Sequence, residues 1–303
     1  MKIGILEFGT GNKDITNSVR NVLEYAEHAD ELGYTRFWLG EHYYNNNPIW
    51  YNPEVYIPLI AGSTINIKVG VAGLLMAYHN PYKVALTFKQ LSCVFPGRID
   101  LGIAKGKVHS VISKLMSPEI SLEDHKIWNE TFDNNVKSLI LFLNNANLND
   151  NGVPLLPPYG GSSPSIWALG SYSANLASVL KYNTPYSRSI FHVKIDDFNR
   201  EKDIIDMFRE NYFILHKREP VINVAFAGFC HKSDKKAMQI RNSYNSSIIT
   251  HNEIVGSPNY IYDKIQELNE FFHAEEYIFL NMANTYEHKT ASIELLSNKF
   301  SLV

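Results

Sequence analysis

Cysteine is the rarest residue of this chain: two in 303 residues, Cys93 and Cys230, each in an apolar segment. Neither has a second thiol or a histidine at metal-ligand spacing, so no disulfide framework and no zinc site can be read, and a reduced, cytoplasmic setting is expected. Runs of like charge are also missing. The 28 Lys and Arg against 31 Asp and Glu leave a net charge of −3, without the basic footprint of a nucleic-acid or membrane-surface binder. No apolar stretch approaches the roughly 20 residues that a membrane helix needs. The start, "MKIGILEFGTG", lacks the apolar region and small-residue cleavage site of a secretory signal. No GxGxxG follows a strand, so the chain offers no evident site of its own for NAD(P)H. With 17 glycines, 13 prolines and 45% apolar residues, the composition is that of an ordinary globular protein.

What is present is a rhythm of strand, loop and helix. Lys2 to Phe8 reads as a strand, and Asn17 to Leu32 as an amphipathic helix with Val19, Val22, Leu23, Ala26 and Ala29 at helical spacing. The alternation continues through strands at Thr35–Leu39, Ile65–Leu75, Arg98–Ile103, Ser165–Leu169, Arg188–Val193, Val221–Phe229 and Glu276–Leu280. Helices are expected at 53–63, 82–95, 122–143, 174–181, 196–212, 233–244, 259–271 and 285–299. Eight such units in about 300 residues predict a (β/α)8 barrel spanning 1–303 as one domain, with an excursion between the fourth and fifth strands. A doubly wound open sheet is the alternative.

In a barrel of this kind, function sits in the segments just after each strand. After strand two comes "GEHYYNNNP", with Glu41, His42 and Tyr43; after strand four comes "IAKG", where Lys105 stands between Gly102 and Gly106. A turn needs only the glycine. The cation suggests an anion above the strand, the plain alternative being a solvated turn lysine. After strand five, "GSYSA" places Gly170, Ser171, Tyr172 and Ser173 at a helix start, where N–H groups and the helix dipole favour an anion or where serines simply cap. Strand six closes with "FHVK" and His192.

These segments resemble the bacterial luciferase-like flavin monooxygenases. The resemblance rests on the Glu-His-aromatic after strand two, "GVAGLLMAYHNPYKVALTFKQLSCVFPGRIDLGIAKG", "SIWALGSYSANLASVL" and "IVGSPNYIYDKIQEL". It implies reduced FMN at the barrel mouth, supplied by a separate flavin reductase, and oxygen chemistry on a small organic or natural-product substrate. Lys105 would take the place of an arginine at the flavin phosphate, as a point charge without the planar fork. The resemblance implies a non-proline cis peptide at Ala72–Gly73 beneath the flavin ring. His42 becomes the proton-handling residue and His192 a second candidate. Glu41 reads as structural, His79 and Asn80 as turn residues ahead of Pro81. Tyr43 departs from the second histidine of many relatives, and Ala104 replaces a reactive cysteine. A homodimer through the helix "YKVALTFKQLSCVF" is expected. "YYNNNPIWY", 43–51, is a possible wall of the substrate pocket.

Two other functions fit the same residues. One is a reductase or dehydrogenase using the deazaflavin F420, including peptide-tailoring reductases; the other is a non-catalytic flavin-binding subunit. Retention of the Glu41-His42 pair and a cation at position 105 speaks against the silent subunit.

Overall fold

The computed structural model describes residues 1–9, 14–43, 52–118, 125–145, 148–157, 161–171, 176–244 and 250–303. The first half runs β1 (Lys2–Glu7), α1 (Ile15–Glu31), β2 (Arg36–Leu39), α2 (Ile57–Ser63), β3 (Lys68–Leu75), α3 (Pro81–Val94), β4 (Ile99–Ala104), α4 (Ser110–Met116) and α5 (His125–Leu143). The second runs β5 (Ser165–Gly170), α6 (Leu176–Tyr182), β6 (Tyr186–Ser189), α7 (Phe198–His216), β7 (Ile222–Cys230), α8 (Asp234–Ser243), β8 (Ile254–Gly256), α9 (Pro258–Phe272), β9 (Glu276–Asn281) and α10 (Tyr286–Phe300). Single 3-10 turns at Pro53–Val55 and Met76–Tyr78 precede α2 and α3.

Strands β1 to β7 pair in order, all parallel, and β9 sits between β7 and β1, which closes an eight-strand barrel. The expected barrel is therefore present, with the expected excursion: α4, α5 and an antiparallel bridge from Leu148 to Pro154 lie between β4 and β5. Two elements differ from the sequence reading. β8 is a three-residue strand paired only with the end of β7, and α4 is one short helix capped by the His109 side chain. β6 ends at Ser189, so His192 stands in the segment beyond the strand. No described helix is long and apolar enough to cross a membrane.

Side chains alternate across each strand, so one set fills the barrel and the other meets the helices. Outward residues such as Ile3, Ile5, Val69, Leu101, Val224 and Phe279 join the helix faces in one large core. Inside, the amino-terminal end is filled by an ionic layer. Buried Arg36 reaches Asp100 at 2.6 Å, and its Nε lies 2.7 Å from a Glu276 oxygen without the linear approach of a hydrogen bond. Trp38 donates to Asp100 at 2.9 Å, and the Arg36 guanidinium lies 5.0 Å from the Trp38 ring centroid and 4.6 Å from that of Trp167. Burial raises the Asp100 carboxyl above its ordinary range, against the opposing charge of Arg36. Gly70 makes room for this layer: a Cβ there would stand 2.2 Å from the Asp100 carbonyl oxygen.

Gly70→Ala should therefore destabilise the fold by about 2–3 kcal/mol, because the clash is with backbone and cannot be relieved by a rotamer change. Gly62, inside α2 with nothing within 4 Å of its missing Cβ, should show the opposite sign on the same substitution. There Ala gains about 0.5–1 kcal/mol of helix stability. Urea unfolding of the two variants checks the pair; a Gly70→Ala protein as stable as the parent contradicts the packing described.

Candidate active site

The upper, carboxyl-terminal half of the barrel is built differently from the lower. β1 is followed by Phe8, whose ring meets His42 at 4.4 Å and reaches His192 at 6.5 Å and Phe191 at 6.2 Å. Phe191 and His192 are themselves 4.2 Å apart. Phe8 can lie across the end of β2 because Gly40 has no side chain: a Cβ there would sit 2.5 Å from the Phe8 ring. Thus the segments after strands one, two and six bring two imidazoles and two phenyl rings to one wall. Across β3 and β4 the residues are small. The Ala72–Gly73 peptide is cis, the β3–β4 register shifts between Val71 and Leu74, and Gly73 packs against Ala104 and Leu169. The aromatic and histidine group and the small residues thus lie at the carboxyl-terminal ends of different strands, with Phe8, Phe191 and Ala72 in one buried cluster.

The two histidines share an electrostatic setting. His42 lies below the ordinary imidazole value because burial disfavours its charged form, with Glu41 opposing. His192 is pushed down to about 4, first by loss of solvent around it and then by His42. His192 is nonetheless an exposed residue of the segment after β6. Both are neutral imidazoles near pH 7, each with one N–H donor and one acceptor. Ser189 Oγ lies 2.6 Å from His192 Nδ1, which orients the ring.

Glu41 points the other way, toward the helix layer. Its buried carboxylate accepts the Leu75 N–H at 2.7 Å and the Tyr43 hydroxyl, and pairs with His79 Nε2 at 2.7 Å. Burial works to lower His79, but the bond to Glu41 and its charge outweigh burial, and the net shift is upward. Glu54, also largely buried and near Glu41, is raised. Glu41 is thus a tie between the ends of β2 and β3, as its structural reading expects. His79 is that tie's partner and not a turn residue alone, whereas Asn80 does cap α3, accepting from the Lys83 N–H at 3.1 Å. No sequence signal links Glu41 to His79, 38 residues away.

Lys105 follows β4 half-buried, its ammonium 5.1 Å from the Phe132 ring centroid and 5.5 Å from that of Trp128, both on α5. Among the described residues no carboxylate pairs with it. It lines a cavity with Ile103, Phe132, Ala168, Leu169 and Thr184, which brings it beside the end of β5. Gly170 ends β5 opposite Arg188 in register, and the Ser171 carbonyl accepts from buried Arg188. Tyr172 and Ser173 lie outside the described residues, as does 44–51 of the suggested pocket wall. The structure brings His42 and His192 to Phe8, puts Ala72 in the same buried cluster as Phe8, and sets Lys105 and Ser171 at the neighbouring ends of β4 and β5. Phe8 was findable by reading the segment after strand one as the others were read; Trp128 and Phe132 give no sequence sign of facing Lys105.

The opposed shifts have opposite consequences. An unfolded chain protonates His192 first as pH falls, so that site loses folded-state stability from about pH 6.5 toward 4. Protonated His79 on Glu41 stabilises the fold at lower pH, and that contribution is lost as pH rises through its raised folded value. Proton NMR of the imidazole carbons should show His79 titrating above 6.5 and His192 near 4. Glu41→Gln should carry His79 downward, because its burial would then be opposed by the Glu54 charge alone. Overlapping midpoints near 6.5 would contradict this geometry.

Residues 1–116 match the family model described as luciferase-like monooxygenase. Uncharacterized protein YwcH of Bacillus subtilis (strain 168) is 31% identical over 157 residues, 51% of this chain and 46% of its own. A luciferase-like monooxygenase of Escherichia coli (strain K12) is 30% identical over 165 residues, 52% of this chain and 46% of its own. These two alignments span about half the length of each relative. Solved structures resemble the whole barrel. Apo-MsnO8 has a TM-score of 0.82 at 22% identity, covering 100% of this chain and 99% of that one. The oxygenating constituent of 3,6-diketocamphane monooxygenase from Pseudomonas putida, in complex with FMN, scores 0.76 at 18% identity, with 99% and 97% covered. An F420-dependent secondary alcohol dehydrogenase scores 0.71 at 13% identity, with 97% and 98% covered. Residues 1–116 are thus similar to the luciferase-like monooxygenases, and the barrel as a whole has the fold of these structures.

Proposed function

We propose that the protein is the oxygenating component of a two-component monooxygenase, taking reduced FMN from a separate flavin reductase and acting with O2 on a small organic or natural-product substrate. The observation that carries this reading is the convergence of His42, His192 and Phe8 at the carboxyl-terminal end of a barrel whose β3 and β4 end in the small residues Ala72, Gly73 and Ala104. A planar tricyclic ring fits over such small residues, and neutral imidazoles suit a bound group whose protonation changes during turnover. Reduced FMN held there would supply the electrons that activate oxygen.

The chain's own residues divide the remaining work. His42, neutral and partly screened from water, can hold or deliver a proton at the ring face. Ser189 keeps His192 from rotating away, so a second N–H or lone pair stands at the same wall. Phe8 and Phe191 exclude water beside them. Lys105 and Ser171 would meet the terminal phosphate. Lys105 is held by the faces of Trp128 and Phe132 in place of a carboxylate, which leaves its charge available to an anion. The paired-copy reading rests on α3, where Tyr82 and Val94 are exposed, with Leu59 and Ile65 also exposed. Light scattering at micromolar protein should give about twice the 34.6 kDa chain mass, and a monomer mass contradicts it.

The chemistry is tested by mixing photoreduced FMN, bound to the protein, with oxygenated buffer and following flavin absorbance. Bound FMN should reoxidise more slowly than free FMN, since the site excludes water and positions donors. His42→Ala should bring reoxidation toward the free rate while FMN affinity stays within about threefold, because the phosphate contacts lie elsewhere. Reoxidation at the free rate in the parent, with preferential binding of F420, would replace oxygen activation by hydride transfer.

A further inference from the structure

Glu7 is a buried carboxylate, 3% exposed, for which the proposed chemistry has no use. It is the last residue of β1. Leu6 and Phe8 on either side of it lie in the lumen cluster, so Glu7 points outward, toward α1 and α10. There its Oε2 pairs with the ammonium of Lys289 on α10, a side chain only 12% exposed. The same ammonium lies 5.8 Å from the ring centroid of Tyr25 on α1. Burial, and then the Glu7 charge, raises the Tyr25 phenol above its ordinary value. Lys289 is held by its backbone as well. Its carbonyl accepts from Asn281 Nδ2 at 3.1 Å, and Asn281 ends β9, the strand beside β1. One lysine therefore clamps the ends of two adjacent strands.

A buried ion pair is weak ground for stability alone, because the desolvation of both charges offsets much of their attraction. The second Glu7 oxygen gives this one a geometric consequence. Oε1 accepts the Gly9 N–H at 2.8 Å, and Gly9 has φ 65°, in the left-handed region that favours glycine. Phe8 stands between the two tied residues. The strand ends at Glu7, whose carbonyl accepts the Gly40 N–H at 3.0 Å, so Phe8 is the first residue past it. With Glu7 and Gly9 bonded to each other through one clamped carboxylate, the Phe8 side chain has a fixed departure. It crosses Gly40 to reach His42, at 4.4 Å between ring centroids, and His192, at 6.5 Å.

We propose that Glu7 is a positioning residue: clamped from outside the barrel by Lys289, it holds the Phe8 ring against His42 and toward His192. The inference rests on the reading of those imidazoles as the proton-handling groups of the mouth, and it adds that an ion pair on the helix side sets their shield. The sign of the effect is diagnostic. Among the described residues, Glu41 acts on His42, and His42 on His192. Loss of the Glu7 charge acting through space would lower an imidazole, whereas water admitted by a displaced Phe8 ring raises it.

The test is NMR of the imidazole groups across pH in the full-length protein without flavin, for the parent, Phe8→Ala, Glu7→Ala and Glu7→Ala/Lys289→Met. In the parent, the His42 protons should carry the ring-current shift of the Phe8 ring and titrate below 6.5. Phe8→Ala should remove that shift and raise the midpoint toward 6.5, because burial then weighs less against Glu41. Glu7→Ala should reproduce most of both changes while His79, tied to Glu41, still titrates above 6.5. Circular dichroism melting reports whether Glu7→Ala folds. If it does not, because Lys289 is left as a buried unpaired cation, the double variant removes that charge and is read in its place. A Glu7 variant with the parent's His42 shift and midpoint, or with a lowered midpoint, overturns the inference. Movement of His79 to the ordinary value alongside His42 also overturns it, since that marks general loosening. If Phe8→Ala changes neither quantity, the shielding itself fails and takes the inference with it. Flavin is absent throughout, so a failure here is distinct from a failure of the FMN reading.

Discussion

A buried guanidinium decides how this barrel is filled. Arg36 bonds Asp100, contacts Glu276 and lies between the faces of Trp38 and Trp167, so the amino-terminal half of the lumen is occupied by one bulky ionic and aromatic layer. Such a layer is tolerated only where every neighbour yields to it, which is why Gly70 has no room for a side chain. With the lower half closed, anything flat and sizeable must bind from above. The site's depth is thus set by a charge that never touches it.

The upper half shows the reverse economy of side chains. Ala72, Gly73 and Ala104 leave the ends of β3 and β4 bare, and Phe8, His42, Phe191 and His192 furnish the segments after β1, β2 and β6. Both sets are braced from behind. Glu41 ties β2 to β3 through Leu75 and His79, directly beside His42, and Arg188 ties β5 to β6 directly beside Ser189, the partner of His192. In both places the outward residue of a strand end is charged and bonded, and the residue next to it delivers a side chain to the mouth. Alternation along a strand couples the brace to the group it steadies.

Much of this was legible in the chain before its fold was known, and the exceptions have reasons. Strands and helices were readable because parallel barrel strands are continuous apolar runs and the helices carry a 3.6-residue stripe with caps such as Asn80 and Thr285. α4 and β8 escaped because seven and three residues are too few for a period to be measured. His42 and Ala72–Gly73 were accessible through resemblance. The approach of Phe8 to His192 was not, since strands one and six meet only through barrel closure. The same holds for the Glu41–His79 pair and for the aromatic seat of Lys105, which depends on where α5 comes to rest.

The central claim is that the mouth is a flavin site with its ring between these two sets of residues and its phosphate between β4 and β5. Crystals of the protein soaked with FMN test it most directly. The account predicts the isoalloxazine against Ala72–Gly73 with His42 and His192 on its other side, and the phosphate within hydrogen-bond distance of the Lys105 ammonium. A flavin bound with its ring outside the lumen, or with its phosphate turned to solvent away from Lys105, would contradict it.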